Sequence, residues 1–266
     1  KDGDAIGTGV SLVSKNFDPE EPYKSVPALI QLLGRVEKVN DVYWRAQKTK
    51  ELSNLVAACA GLWFESYANE QAYALKDSIE VRSQVIERYN DRVKVSQIDG
   101  LHFGNGGKVI PANEVQTFNS KVYGDKITQP YWLEKPHSIG SYIIDDERLV
   151  GNPENPDLPK IDYEFIIEGK PVHFERELVY KYVDPAKGEI YQPVAIAPPV
   201  TANIRDKVYI FNSQQSQTVQ VKLKSFKNGA SGNIHLNVPA GFTISPERSA
   251  ARRVGPECRS RWSAYH

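Results

Sequence analysis

The stretch Asp41–Tyr89 changes its hydrophobic periodicity part-way, and this change constrains the fold more than any other feature of the sequence. Its first half repeats apolar residues at helical spacing, whereas its second half alternates apolar and polar residues as a half-buried strand does. The switch falls near Asn69–Leu75, and little of the sequence after it has helical spacing. The pattern predicts a helical segment that leads into a long β region.

Two helices are predicted before the switch. Ser25 can cap the first, with Pro27 in its first turn, and an apolar face follows from Leu29 to Val39. The second carries an apolar stripe from Leu52 through Leu55 to Trp63, so residues 25–68 are expected to form a helical hairpin. Residues 1–24 are polar and rich in turn formers, which is typical of a loop or of the end of an upstream domain.

Short alternating segments separated by turn residues predict strands over the rest of the chain. Ile79–Ile86 is expected to pair with Val93–Ile98 across a turn at Tyr89–Asp91. A β-sandwich-like domain is expected over 69–198, and a second Ig-like β unit, short for a complete sandwich, over 199–247. The predicted fold class is mainly β with an N-terminal α-helical hairpin and Ig-like β-sandwich units.

Composition limits the classes of partner. The 266 residues can bury a sizeable core, and 33 basic residues balance 33 acidic ones, which gives no reason to expect nucleic acid. No apolar run approaches the roughly 18–20 residues of a membrane span. Cys59 is expected as a small core residue and Cys258 lies in an atypical tail, so no disulfide framework and no zinc site are expected.

The two ends of the chain are unusual. It begins at Lys1, contains no Met and shows no signal peptide, which favours an excised fragment over a processed protein. The tail 248–266 holds five Arg, no Lys and no strand pattern. We expect a disordered or non-native end there, with a basic interaction arm and a shifted reading frame as alternatives.

Several segments resemble the region that follows the catalytic domain in large bacterial PIG-L (LmbE-like) deacetylases. The resemblance covers most of residues 20–246, and the segments that carry it are KSVPALIQLL, DVYWRAQKTKELSNLVAACAGLWFESYA, DSIEVRSQVIERYNDRVKVSQI, KITQPYWLEKPHSIGSYIIDDERLVGNPENP and YQPVAIAPPVTANIRDKVYIFN. It implies an accessory segment of a zinc-dependent enzyme that removes acetyl from an N-acetylated amino sugar, in a parent protein that is periplasmic or extracellular.

The family's zinc-binding His-Pro-Asp-Asp stretch does not occur in this sequence. None of the five histidines is followed by Pro-Asp-Asp, and they are His102, His137, His173, His235 and His266. No catalytic and no metal-ligating residue is therefore assigned, and the zinc is expected in an upstream deacetylase domain, which would be the partner of this chain.

Tyr131, Trp132 and His137 are the ligand-binding candidates. An exposed Trp beside a Tyr can stack on the apolar face of a sugar ring, and His137 can donate a hydrogen bond to it. The favoured alternative is that Trp132 anchors a Pro-flanked strand to the core, as large aromatic residues usually do.

Three further groups have a binding alternative, but in each a simpler interpretation is favoured. Gly104–Gly107 lacks the Gly-Lys-Ser/Thr of a phosphate loop and is predicted to be a hairpin turn. Asp145–Glu147 could bind calcium but lacks the EF-hand spacing, which favours a solvated turn. His173, Glu175 and Glu177 share one strand face and could hold a metal, although such a row is more often solvated.

Three functions follow from these patterns. The leading one is a non-catalytic accessory region that braces the deacetylase domain and can help to present polymeric glycan. The alternative is a stand-alone carbohydrate-binding β-sandwich module that uses Tyr131 and Trp132. The third is an unrecognised hydrolase, which metal-dependent turnover by the purified chain would reveal.

Overall fold

The computed structural model describes residues 2–89, 92–104, 106–152, 158–211, 216–227, 229–245, 249–251 and 258–265. The prediction of a mainly β chain is confirmed. The α-helices are α1 (Asp2–Lys15), α2 (Val26–Val36) and α3 (Val42–Cys59). None of the helices described is long and apolar enough to cross a membrane.

The strands follow in chain order, and most of them are short. They are β1 (Trp63–Ala68), β2 (Ala72–Ala74), β3 (Ser78–Ile86), β4 (Val93–Ile98), β5 (Leu101–His102), β6 (Lys108–Val109), β7 (Gln116–Tyr123), β8 (Lys160–Ile167), β9 (Lys170–Glu177), β10 (Val179–Asp184), β11 (Gly188–Pro193), β12 (Ala195–Ala197), β13 (Val200–Ile204), β14 (Gln217–Ser225), β15 (Gly232–Ile234), β16 (Thr243–Ser245), β17 (Ser249–Ala251) and β18 (Cys258–Tyr265).

The chain divides into two compact units. The first comprises Lys1–Asn69, Glu80–Val122 and Leu158–Pro193, and the second comprises Glu70–Ile79, Tyr123–Asp157 and Val194–His266. Each unit therefore takes segments from distant parts of the sequence.

The first unit contains two sheets. One has the strand order β11-β10-β1-β3-β7, in which β1 is antiparallel to β3 and parallel to β10. The other has the order β5-β4-β8-β9, with β6 also paired to β4. Since the chain passes repeatedly from one sheet to the other, most neighbouring strands are not consecutive in sequence.

An aromatic core joins the two sheets of the first unit. The Phe64 ring of β1 lies 4.8, 5.0 and 5.1 Å from the rings of Tyr163, Phe165 and Phe174, measured between centroids. Beside it the Ser66 hydroxyl forms hydrogen bonds with the hydroxyls of Ser83 and Tyr163. Burial raises the pKa of Tyr163 to about 12, although its hydrogen bonds to the serines act in the opposite direction.

Helix α3 ends earlier than the sequence pattern predicts. Gly61 has a φ of +63°, and the Leu62 N–H donates to the Ala57 carbonyl oxygen at 2.9 Å, which is the hydrogen bond of a Schellman stop. The change to strand structure thus occurs at 60–62, not at 69–75. Trp63 begins β1 and is 43% exposed, so its expected place in a helical core is wrong.

Asp2–Lys15 forms α1, so residues 1–24 are not a loop throughout, and the alternative that they end an upstream domain stays a prediction. This helix packs on α2 at Gly9, where an added Cβ would lie 3.0 Å from Leu32 Cδ1. Arg35 Nη1 of α2 donates to the Ala5 carbonyl oxygen at 3.2 Å. Tertiary packing therefore outweighs the low helix propensity of the glycines.

The predicted pairing of the strands before and after 87–92 is wrong as well. Strand β3 pairs with β1, whereas β4 belongs to the other sheet and pairs with β5, β6 and β8. The connection crosses between the sheets, and Val85 before it and Val95 after it are both completely buried. The buried Glu87 accepts hydrogen bonds from the Tyr89 and Asn113 backbones at this crossing. The expected turn residues Asn90 and Asp91 lie outside the described residues.

The second unit contains a sheet with the order β13-β14-β18-β16 and two strand pairs, β12–β2 and β15–β17. One of its buried clusters is a row on β14, comprising Val219, Val221 and Leu223. A disordered or non-native tail is expected over 248–266; its described part instead forms strands, and a non-native origin stays a prediction. There β18 pairs with β14 along its length, from Gln217 opposite Ala264 to Leu223 opposite Cys258. A strand carries backbone hydrogen-bonding groups along both edges, and β14 uses one edge for β13 and the other for β18.

Candidate functional site

The structure places the predicted sugar-binding residues in the second unit. Tyr131 and Trp132 lie in a short 3₁₀ helix, and their half-buried rings contact each other edge to face at 4.8 Å. His137 is exposed, its ring lies 5.0 Å from that of Tyr142, and its Nδ1 lies 3.1 Å from the Ser138 carbonyl oxygen. Binding of a sugar at these residues stays a prediction.

The His173 row of β9 is divided among other partners. His173 Nε2 lies 3.2 Å from Glu164 Oε2 on β8, and Glu175 Oε1 lies 2.8 Å from Lys160 Nζ. Over the residues that the structure describes, no group of three or more His, Cys, Asp or Glu side chains is placed to hold a metal ion.

The other two predicted groups form turns. The Asp146 carboxylate accepts hydrogen bonds from the guanidinium and the backbone N–H of Arg148, which hold its pKa below the ordinary value. Asp145 pairs with Lys135 at 2.5 Å. The Gly107 N–H donates to the Gly104 carbonyl oxygen at 3.1 Å, in a connection between β5 and β6.

An apolar cleft lies on the three helices of the first unit. We name it the apolar cleft, and its volume is about 270 Å³. Lys48 and Glu51 lie at its rim. Its walls are apolar side chains, namely Ile6, Val10, Leu32, Val36, Val39, Trp44, Leu52 and Leu55. Val10, Trp44 and Leu55 are 50%, 52% and 47% exposed. Large apolar side chains exposed around a concave surface mark interaction sites.

The rim of the apolar cleft holds Trp44 in place. Lys48 Nζ lies 5.6 Å from the centre of the Trp44 ring and 2.8 Å from Glu51 Oε2. Hydrogen bonds from Lys48 and Gln47 lower the pKa of Glu51, so the rim stays charged at neutral pH. The Asp41 carboxylate accepts the Trp44 N–H at 3.0 Å and caps α3 next to the cleft.

The sequence pattern identified only part of this cleft. It placed Leu55 in the buried stripe of the second helix, although this side chain is 47% exposed. It missed α1 altogether, because glycines interrupt the segment. The signal was nevertheless present, since Ile6, Val10 and Val13 recur at spacings of four and three.

A charged cluster lies on the first sheet of the same unit and was not anticipated. Lys181 Nζ of β10 lies 2.9 Å from Glu65 Oε1 and 3.2 Å from Glu189 Oε1, between the rings of Tyr67 and Tyr191. Desolvation lowers the pKa of Lys181, but hydrogen bonds to Glu65, Tyr191 and Glu189 outweigh it and raise the pKa above its ordinary value. These contacts satisfy the ammonium within the chain, which indicates a structural role.

Comparison with known proteins adds no relative. The sequence matches no protein-family model and no curated protein, and the structure matches no solved structure.

The apolar cleft, by its shape and exposure, can accept apolar side chains from another protein surface.

Proposed function

We propose that this chain is a non-catalytic accessory region of a PIG-L-like N-acetyl-sugar deacetylase, where it braces the catalytic domain and helps to present glycan to it. In this proposal α2 and α3 form the helical hairpin, the β units are Ig-like sandwiches, and the zinc belongs to the catalytic domain. The parent protein works in the periplasm or outside the cell.

The apolar cleft is the observation that carries the bracing role. Trp44 and Leu55 each keep about half of their surface exposed at its mouth. Full burial of a large apolar side chain contributes about 1.5–3 kcal/mol, so a docking domain that covers both residues gains a few kcal/mol. Aromatic residues in such positions are common anchors of protein interfaces. The resemblance of the sequence to PIG-L proteins is the reason for proposing the catalytic domain as the partner that fills the cleft.

The test uses the full-length polypeptide with Trp44→Asp or Leu55→Asp. Val183→Asp is the matched control, because Val183 is 70% exposed in the same unit and lies outside the cleft. We expect both cleft variants to lower the melting temperature of the catalytic domain and its turnover of polymeric N-acetylated glycan. Circular dichroism of the isolated chain checks that each variant still folds.

Two results would refute the bracing role. One is that the cleft variants behave as the Val183 control does. The other is that the deacetylase domain without residues 1–266 keeps its folding, stability and turnover on polymer.

The stand-alone carbohydrate-binding module is the second candidate. The partly exposed Tyr131–Trp132 pair at the surface of the second unit favours it, because exposed aromatic rings stack on sugars. Affinity electrophoresis through chitin-like and peptidoglycan polymers should retard the chain, and Trp132→Ala should abolish that retardation. Equal migration of the two proteins would count against this module.

A further inference from the structure

Strand β13 lies at an edge of the four-stranded sheet in the second unit. In the described part of the chain β13 pairs with β14 on its inner side, and no strand pairs with its outer side. Four of its five residues are exposed to solvent. Its outer edge is therefore open to another strand.

The register between β13 and β14 decides which backbone groups lie on that outer edge. The Phe226 N–H donates to the Pro199 carbonyl oxygen at 3.0 Å, and the Arg205 N–H donates to the Gln220 carbonyl oxygen at 2.9 Å. Hydrogen-bonded and non-hydrogen-bonded pairs alternate along an antiparallel ladder. The N–H and C=O groups that point away from β14 are therefore those of the intervening alternate residues, Val200, Ala202 and Ile204.

The apolar face of the sheet continues onto β13 and is exposed there. Ala202 lies opposite Leu223, and Ile204 lies opposite Val221, so these residues share one face of the sheet. Leu223 and Val221 are 1% and 3% exposed. In contrast, Ile204 is 49% exposed and Val200 is 38% exposed. A strand on the outer edge would extend this apolar face.

Strand β13 also lacks the features that protect sheet edges, which are charged residues, Pro, bulges and short length. Its sequence, VTANI, has no charged residue and no Pro, and its register with β14 is regular. The edges of the five-stranded sheet in the first unit differ. Strand β7 carries Lys121, whose Nζ lies 3.5 Å from Glu80 Oε1, and β11 carries Glu189 and ends at Pro193.

We infer that a second copy of this chain pairs with the outer edge of β13, antiparallel and with a two-fold axis at Ala202. This register places Ala202 opposite its own copy and Val200 opposite Ile204 of the second copy. These pairs use the free N–H and C=O groups and form about six hydrogen bonds. On the other face Thr201 lies opposite Asn203 of the second copy.

The sequence of β13 is the reason for choosing a second copy as the partner. Reversed about Ala202, it sets apolar against apolar and polar against polar residues, with a small residue at the axis, as a self-complementary two-fold contact requires. Pairing joins the four-stranded sheets of two copies into one continuous sheet. This self-association goes beyond the bracing role, which uses the first unit.

The test is sedimentation velocity of the whole chain over concentrations of about 5 to 300 µM. An edge of five residues is a small contact, so we expect a weak dimer with a Kd on the order of 100 µM. The average mass should rise with concentration from 29.9 kDa toward twice that value.

Ala202→Pro tests the hydrogen bonds of the outer edge. It removes an outward N–H but none that bonds to β14, and Pro is tolerated where the N–H of an edge strand faces solvent. Two hydrogen bonds are lost at the axis, one from each copy, so the dimer should weaken by about thirtyfold.

A charge pair tests the register. Val200→Glu and Ile204→Lys should each weaken the dimer by about tenfold, because each removes an apolar pair twice. Both changes in one chain should restore the affinity to within about threefold, since Glu and Lys then lie opposite each other across the axis. Within one strand these positions are roughly 13 Å apart, so the pair forms between copies. Ile210→Lys is the control, because Ile210 is 72% exposed in the same unit outside β13.

Each contrary result overturns a defined part of the inference. A mass that stays at one chain over the whole concentration range overturns self-association. A dimer that Ala202→Pro leaves intact, or that Ile210→Lys weakens as much as Ile204→Lys does, overturns the use of β13. A double charge variant as weak as the single ones overturns the axis at Ala202. Circular dichroism checks the folding of each variant, and if Ala202→Pro fails to fold, the charge variants decide the location.

Discussion

Replacing Lys181 by Met tests whether the charged cluster on the first sheet stabilises the first unit. The Lys181 and Glu65 side chains are only 18% and 15% exposed. Met keeps most of the side-chain volume, so the variant removes the charge and leaves Glu65 largely buried with the Tyr191 hydroxyl at 3.4 Å. Exposed ion pairs contribute about 0–1 kcal/mol, whereas breaking a buried pair costs about 3–5 kcal/mol. We therefore expect a loss of about 2–3 kcal/mol.

The assay is urea denaturation at pH 7, with Lys187→Met as the matched control. Lys187 lies in the exposed turn between β10 and β11, so its replacement should change the free energy of unfolding by less than about 0.5 kcal/mol. A double-mutant cycle of Lys181→Met with Glu65→Gln should give a coupling energy of at least about 1 kcal/mol. Coupling near zero, or a Lys181 variant as stable as the control, would refute the reasoning.

The same cluster has a defined pH dependence. Because folding raises the pKa of Lys181, its contribution is fully present below its ordinary pKa of 10.5 and is lost as the pH rises through the folded value. The pKa of Glu189 is lowered by hydrogen bonds from Tyr191 and Lys181, so its contribution is present above its ordinary value of 4.5 and is lost in acid. The difference between the unaltered chain and Lys181→Met should therefore shrink at both extremes of pH.

Three other substitutions or probes test the packing. Gly124→Ala places a Cβ against Ile196 Cδ1 and 2.6 Å from Ile196 Cγ1. This overlap should lower the free energy of unfolding, measured by urea denaturation, by about 1–3 kcal/mol. Adding Ile196→Ala to the same chain should recover part of this loss, because it removes the overlapping atoms. Tyr163→Phe should cost about 1 kcal/mol at pH 7. Between pH 10 and pH 12 the unaltered chain should lose about 2 kcal/mol that this variant does not, because the pKa of Tyr163 is about 12 in the folded chain and about 10 in the unfolded chain. The buried Cys59 thiol, whose pKa is raised by desolvation, should react with a disulfide reagent in urea but not in the folded protein.

Local periodicity predicts strands well where one face is buried. The alternation in Gln217–Ser225 has its buried members at Val219, Val221 and Leu223, as a half-buried strand requires. The long β8 strand, Lys160–Ile167, shows the same agreement between pattern and burial. Such segments need no distant information, because one face meets the core and the other meets solvent.

Partners of these strands could not be predicted from local sequence. Strand β1 pairs in parallel with β10, and Glu65 meets Lys181 across 116 positions of sequence. Periodicity shows which face of each strand is buried but not which strand lies next to it. This is why the strand pair at 79–98 was assigned wrongly and why the charged cluster was missed.

Helical signals failed where local propensity and packing disagree. The glycines of α1 lower its propensity, but Gly9 permits the close contact with Leu32 that stabilises the helix. At the end of α3 the apolar stripe continues into Leu62 and Trp63, although the Schellman stop at Gly61 has already ended the helix. Apolar spacing alone does not show whether a later residue continues a helix or begins a strand.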